Sequence, residues 1–92
     1  MKATFNEVVL AESDAIETVE GNSYFPRESV KWEHFEDSPR KYTCSWKGDA
    51  RYYHINAGGE DLADGAWEYP DPKDAARNIA GYVCFDRRVQ VS

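Results

Sequence analysis

Cysteine is scarce in this chain: Cys44 and Cys84 are the only two, and no Cys-x-x-Cys pair exists. That excludes a disulfide scaffold and a structural zinc site, which needs about four ligands at recognisable spacing. Histidine is equally thin, with only His34 and His54. Neither is placed by sequence beside a nucleophile and an orienting carboxylate, so no triad is legible. The acidic pairs Asp61/Asp64 and Asp71/Asp74 are explained by a turn and by helix capping, so neither metal nor cofactor is expected. Long apolar runs are missing too. None approaches the ~18 residues of a membrane-spanning helix, and Met1–Leu10 is broken by Asn6 and Glu7, which leaves no signal-peptide core. The expected address is the cytoplasm, with both thiols reduced and no membrane partner.

Excess positive charge is also lacking. Asp and Glu number 17 against 11 Lys and Arg, a net charge of −6. The imbalance peaks early, where Glu7, Glu12, Asp14, Glu17 and Glu20 face only Lys2. Such a field repels phosphate backbones, which excludes polymeric nucleic acid as a partner.

Aromatic side chains are plentiful. They form 14% of the 92 residues, with 3 Trp and 6 Tyr. A chain of this length holds one domain, residues 1–92, and buries only roughly 60–65% of its unfolded surface. Large rings must therefore carry much of a small core.

Short β-patterned runs separated by turn residues recur throughout. Lys2–Phe5 and Val8–Glu12 flank Asn6-Glu7, a tight hairpin signal. Ile16–Glu20 stops at the turn pair Gly21-Asn22. Tyr24-Phe25 is cut off by Pro26, and Pro26–Ser29 suits one helical turn. Val30–Phe35 alternates as a strand. Lys41–Trp46 and Ala50–Asn56 flank a hairpin tip at Lys47-Gly48-Asp49, with Arg51, Tyr53 and Ile55 on one face and Tyr52 and His54 on the other. Gly58-Gly59 turns the chain into Asp61–Tyr69, where Gly65, Trp67 and Tyr69 share a side. One short helix is predicted near residues 72–78, with Asp71 as N-cap, Pro72 at the first position and Gly81 as the stop. Tyr82–Phe85 and Val89–Val91 are expected to pair across Asp86-Arg87-Arg88. The sum is a mostly-β fold of antiparallel sheets with one short helix.

Chemistry concentrates in Tyr42–Tyr53 and Trp67–Pro72. Lys47 beside Gly48 offers an amine over a glycine that permits close backbone approach by an anion. Cys44 lies two residues before Trp46, where Lys47 or Arg51 can depress its pKa and expose a thiolate. Cys84, between Tyr82 and Phe85, reads as core packing. Tyr24, Tyr53, Trp67 and Tyr69 form an aromatic wall of the kind that holds flat or polar metabolites, or else simply fill the core.

Taken together these segments resemble the DUF427 family, small bacterial domains of uncharacterised function. The resemblance covers nearly the whole chain. It rests on Val9-Leu10-Ala11-Glu12-Ser13, Val19-Glu20-Gly21-Asn22, Tyr24-Phe25-Pro26, Thr43-Cys44-Ser45-Trp46-Lys47-Gly48, Ala50-Arg51-Tyr52-Tyr53, Ala66-Trp67-Glu68-Tyr69-Pro70 and Ile79-Ala80-Gly81-Tyr82-Val83. Ser45 stands where the family commonly has proline. The resemblance implies a β-tent, or Mss4-like, arrangement of antiparallel sheets. Other β-tent groups carry zinc on Cys-x-x-Cys pairs that this chain lacks. The family also carries a provisional nucleotidyltransferase label. A site of that kind wants a Gly-Ser turn followed by paired carboxylates holding Mg²⁺, and no Gly-Ser dipeptide occurs here.

Three functional expectations follow. The first is a pocket for a small polar or anionic metabolite, with Lys47 and Arg51 supplying charge, Gly48 close approach, and Tyr24, Tyr53, Trp67 and Tyr69 the walls. The second is a non-catalytic interaction module, with a homodimer as one form, using exposed rings at an interface. The third is a thiol-dependent enzyme with Cys44 as nucleophile, assisted by Lys47 or Arg51.

Overall fold

Three two-residue turns fix the hairpins of the fold. Asn6-Glu7, Glu20-Gly21 and Gly58-Gly59 each place both residues at positive φ, between 50° and 84°. That is the turn whose twist matches paired strands. The first joins β1 (Lys2–Phe5) to β2 (Val8–Glu12), the second β3 (Glu17–Val19) to β4 (Asn22–Pro26), and the third β6 (Gly48–Ala57) to β7 (Glu60–Glu68). The remaining strands are β5 (Phe35–Cys44), β8 (Tyr82–Phe85) and β9 (Gln90–Val91). The computed structural model describes residues 1–92. Its strands form two antiparallel sheets, β2-β1-β9 and β3-β4-β8-β7-β6-β5.

The main core joins the two sheets. Ala3, Leu10 and Ala11 of the small sheet pack with Phe25, Tyr53, Ile55, Ala66, Val83 and Phe85 of the large one. Phe25 is fully buried and meets Phe85 edge-on at 5.5 Å. Burial of one such ring contributes about 1.5–3 kcal/mol. A second cluster of Tyr24, Cys44, Ala50, Tyr69, Ala76, Ile79 and Cys84 contains residues that alternate with the first along β4 and β8. It therefore lies on the opposite face of the large sheet. Strand β8 serves both: Val83 and Phe85 enter the main core, and Cys84 the second. That is why Tyr82–Phe85 reads as an unbroken apolar run.

The structure departs from the sequence expectations in four places. The short helix expected near residues 72–78 is present, but as a 3-10 helix and not an α-helix, and begun two residues later than Pro72. Asp74–Ile79 is a 3-10 segment interrupted at Ala76 (φ −122°, ψ 23°), and no side chain caps it. Asp71 binds Arg77 instead, while Lys73 N–H donates to the Lys47 carbonyl at 2.8 Å. This tether holds the entry to the segment against the β5–β6 turn, and Ala76 and Ile79 are pulled into the second cluster. Val30–Phe35 is likewise no strand: Val30 makes one bridge to Ala11, and Trp32–His34 is a 3-10 turn. Here the Trp32 ring folds onto Phe35 and Tyr53, at 5.1 Å each, and its indole N–H donates to the Arg27 carbonyl.

Third, Tyr82–Phe85 and Val89–Val91 do not pair with each other. β8 sits between β4 and β7, whereas β9 pairs with β1. The Asp86 turn, closed by Val89 N–H on the Asp86 carbonyl, sends the chain to the other sheet. Fourth, Cys44 pairs with Gly48. The hairpin tip is thus Ser45-Trp46-Lys47, two residues earlier than its turn residues suggest. The turn between β3 and β4 is also shifted earlier, by one residue, to Glu20-Gly21, with Asn22 already in β4.

Candidate functional site

Cross-strand register divides the large sheet into two rows of different chemistry. Tyr24 opposes Cys84, Cys84 opposes Trp67, and Trp67 opposes Tyr52. The next row, on the opposite face, runs Phe25, Val83, Glu68 and Arg51.

On the side of the first row, on the β5–β6 turn, sits Lys47. Its side chain is only 9% exposed. The turn that carries it folds back because Gly48 adopts φ +112° and lets the Asp71–Lys73 backbone approach closely. A Cβ there would lie 3.4 Å from the Asp71 carbonyl oxygen. The ammonium stands 5.0 Å from the Trp46 ring centroid and 5.8 Å from that of Tyr69. Its ion-pair partner is the carboxylate of Glu20, whose side chain is 54% exposed on the β3–β4 turn. Burial disfavours the charged amine. The Glu20 bond, with the nearby Tyr24 and Cys44 groups, outweighs that and leaves its pKa above the ordinary lysine value.

Two further polar groups share this cluster. The Tyr24 hydroxyl is fully buried and finds no acceptor for its proton, with the Trp67 indole as its nearest polar neighbour. Burial raises its pKa, so the phenol stays protonated and available as a donor. The Cys44 thiol is held below its ordinary pKa, first by the backbone amide of Trp46, with burial opposing and the amide and charge of Lys47 assisting. Cys84, in the same cluster, behaves oppositely: burial pushes its thiol up to about 12. An ammonium, a buried phenol and a thiol of lowered pKa thus stand near one half-exposed carboxylate.

The opposite face carries a second polar centre. Glu68, 3% exposed, accepts two bonds from Arg27 at 2.5 and 2.6 Å and one from the Tyr53 hydroxyl. Its wall opens on a cavity of about 310 Å³ lined by Arg27, Arg51, Glu68, Pro70 and Gly81. Arg51 and Pro70 also line a neighbouring cavity of about 390 Å³ with Asp37, Lys41 and Asp49. Arg51 itself is tied to Asp37 at 2.7 Å and lies over Tyr53.

The structure brings Tyr24, Cys44, Lys47 and Tyr69 together, with Trp67 packed against them from β7. It separates Arg51 and Tyr53, which lie across the sheet. Gly48 contacts its own chain. His34 and His54 make structural bonds to strands: His34 donates to the Asn56 carbonyl of β6, and His54 accepts from Asp64 N–H where the β6–β7 register shifts. Sequence reasoning missed Glu20, Arg27 and Glu68. Glu68 carried one usable signal, a lone carboxylate at an inward β7 position two residues after Ala66. Glu20 carried none, being 27 residues from its partner.

A family model described as a domain of unknown function (DUF427) matches residues 1–92. The chain belongs to the DUF427 family. No curated protein matches it. Motifs of this DUF427 domain that seemed scattered in sequence each contribute to the Lys47 side of the large sheet, through Val19, Glu20, Tyr24, Cys44, Lys47, Trp67 and Tyr69.

Proposed function

We propose that this DUF427 domain binds a small polar or anionic metabolite at Lys47, in the place that the Glu20 carboxylate occupies. One observation carries the reading. A nine-tenths buried ammonium is neutralised by a half-exposed carboxylate on a surface turn, beside a buried phenol whose proton has no acceptor. An incoming carboxylate or phosphate takes over the ion pair and gains the Tyr24 hydroxyl as a second donor, a charge-assisted arrangement. Tyr69 and Trp46 flank the amine. The Arg51 cavities extend the polar surface on the other face.

Two antiparallel sheets sharing a core favour the β-tent arrangement within this reading. Two free cysteines favour the cytoplasm. Thermal-shift screening of nucleotides, sugar phosphates, amino acids and small carboxylates tests the binding, on wild type and Lys47→Ala. A ligand-dependent rise in Tm is expected in wild type alone. No shift in either protein overturns the reading.

A second reading, a non-catalytic interaction module or homodimer, is favoured by Tyr42 and Trp46, 48% and 36% exposed near the edge strand β5. Light scattering after size exclusion decides it: a strict monomer that captures no partner removes it.

A further inference from the structure

We propose a second binding site, on the face of the large sheet opposite Lys47, for a small ligand carrying two anionic groups. Lys41, Arg51 and Arg27 build it, and it does not depend on the Lys47 reading.

Lys41 of β5 stands directly opposite Arg51 of β6, which in turn opposes Glu68 of β7. Direct cross-strand partners share a face, so Lys41 extends the row that runs from Phe25 to Arg51. Like charges so placed repel and destabilise a sheet, and an anion between them relieves the repulsion. The chain, at a net charge of −6, has carboxylates to spare for that task. Yet Arg51 pairs with Asp37 alone, and Lys41, exposed on the wall of the cavity of about 390 Å³, has no ion-pair partner. The other carboxylates of that cavity are engaged elsewhere: Asp49 accepts the Thr43 hydroxyl at 2.7 Å, and Asp71 accepts from Arg77 at 3.4 Å. Arg40, on the same wall, is drawn toward Asp64 at 3.7 Å and over the Tyr52 ring.

Both arginines are held ready. Arg27 meets the Glu68 carboxylate through Nη1, and Arg51 meets Asp37 through Nη2. Each carboxylate thus takes one nitrogen of three, and a guanidinium with five N–H groups has donors left for a ligand. Each also lies over an aromatic ring, Arg27 at 4.4 Å from the Trp32 centroid and Arg51 at 5.4 Å from that of Tyr53. Their side chains are ordered before a ligand arrives, which lowers the entropy cost of binding. In the cavity of about 310 Å³ that both line, Glu68 is the one carboxylate, and Arg27 and Tyr53 already occupy it. Arg51 and Pro70 form the wall that this cavity shares with the larger one. Arg51 therefore serves two chambers, one with Arg27 and one with Lys41. One anionic group in each, both gripped by the planar Arg51 fork, is the occupant that this layout fits. A short dicarboxylate and a ligand with two phosphoryl groups share that chemistry.

Amide NMR titrations at matched ionic strength test this with succinate against acetate and pyrophosphate against orthophosphate. The first pair probes a dicarboxylate and the second a diphosphate. Read at Lys41, Arg51, Glu68 and Gly81, a two-group probe is expected to bind about tenfold more tightly than its one-group counterpart, the worth of one further charge-assisted bond. Lys41→Gln is expected to bring it down to the counterpart's affinity, and Arg51→Gln to abolish binding of both. Lys47→Gln is expected to leave both affinities on this face unchanged. Lys41 is exposed and unpaired, so Lys41→Gln keeps the fold and the test stands even where Arg51→Gln does not. Equal affinities within both pairs overturn the proposal, as does a preference that survives Lys41→Gln. A preference lost in Lys47→Gln, with the shift changes at Glu20 and Cys44–Gly48 instead, also overturns it and assigns the anions to the Lys47 site. Binding on this face in a Lys47→Gln protein whose Glu20 and Cys44–Gly48 signals stay still establishes it as a separate site.

Discussion

The Lys47 ammonium is almost wholly buried, yet the Glu20 carboxylate that neutralises it is more than half exposed. The asymmetry predicts unequal mutational costs. Glu20→Gln leaves a buried cation without a counter-charge and is expected to cost about 1–2 kcal/mol, between a surface pair and a fully buried one. Lys47→Met removes the buried charge altogether and leaves only a solvated carboxylate, so it is expected to cost less. Urea denaturation of both variants checks the order; a costlier Lys47→Met contradicts it.

The Glu68 centre behaves as a network. Glu68→Gln weakens the bonds to Arg27 and Tyr53 together, with an expected loss of about 2–3 kcal/mol. Tyr53→Phe removes one bond and is expected to cost about 1 kcal/mol. In a double-mutant cycle the two changes should couple by about 0.5 kcal/mol or more. Simple additivity would mean that the Tyr53 hydroxyl gains nothing from the carboxylate.

Gly48→Ala meets a positive φ of 112° and brings its new Cβ into close contact with the Asp71 carbonyl at 3.4 Å. A loss of about 1–3 kcal/mol is expected. Gly21→Ala, at φ +78° with no atom within 4 Å of the added Cβ, is the control for strain alone and is expected to cost less.

Alkaline pH should unfold the domain through its buried acids. The folded Cys84 thiol is raised from 9.0 to about 12, and Tyr24 and Tyr69 are raised from 10.0. Above pH 9 the unfolded chain sheds these protons while the folded one keeps them. Stability therefore falls as pH rises, by at most about 1.4 kcal/mol per pH unit for each group. Lys47 adds in the same direction, since its raised pKa means that its contribution is lost as pH climbs through the folded value. Denaturation midpoints of wild type and Cys84→Ala between pH 8 and 11 test the sign. A flat profile, or an unchanged slope in Cys84→Ala, contradicts the assignment.

Local signals were legible where the chemistry is local. Asn6-Glu7 and Gly58-Gly59 announced their turns, and the alternation of Arg51, Tyr53 and Ile55 gave the faces of β6 correctly. The failures share a cause. Asp71-Pro72 looks like a helix start, but the Lys73–Lys47 backbone bond and the burial of Ala76 and Ile79 select a kinked 3-10 path. Trp32 abandons its strand to pack edge-on against Tyr53, and Tyr82–Phe85 finds partners fifteen or more residues away in β4 and β7. Each outcome depends on a contact between segments distant in sequence. The site divides the same way: Lys47, Cys44 and Tyr24 stand out as residue types, whereas Glu20 becomes visible only when β3 and β4 bring their turn to the β5–β6 tip.

Backbone amide NMR during titration with a small carboxylate or phosphate tests the account most directly, because it locates the anion. The account predicts shift changes clustered at Glu20, Tyr24, Cys44–Gly48 and Tyr69, lost in Lys47→Gln. Changes confined to Arg27, Arg51 and Glu68 on the opposite face, or none at all, would contradict it.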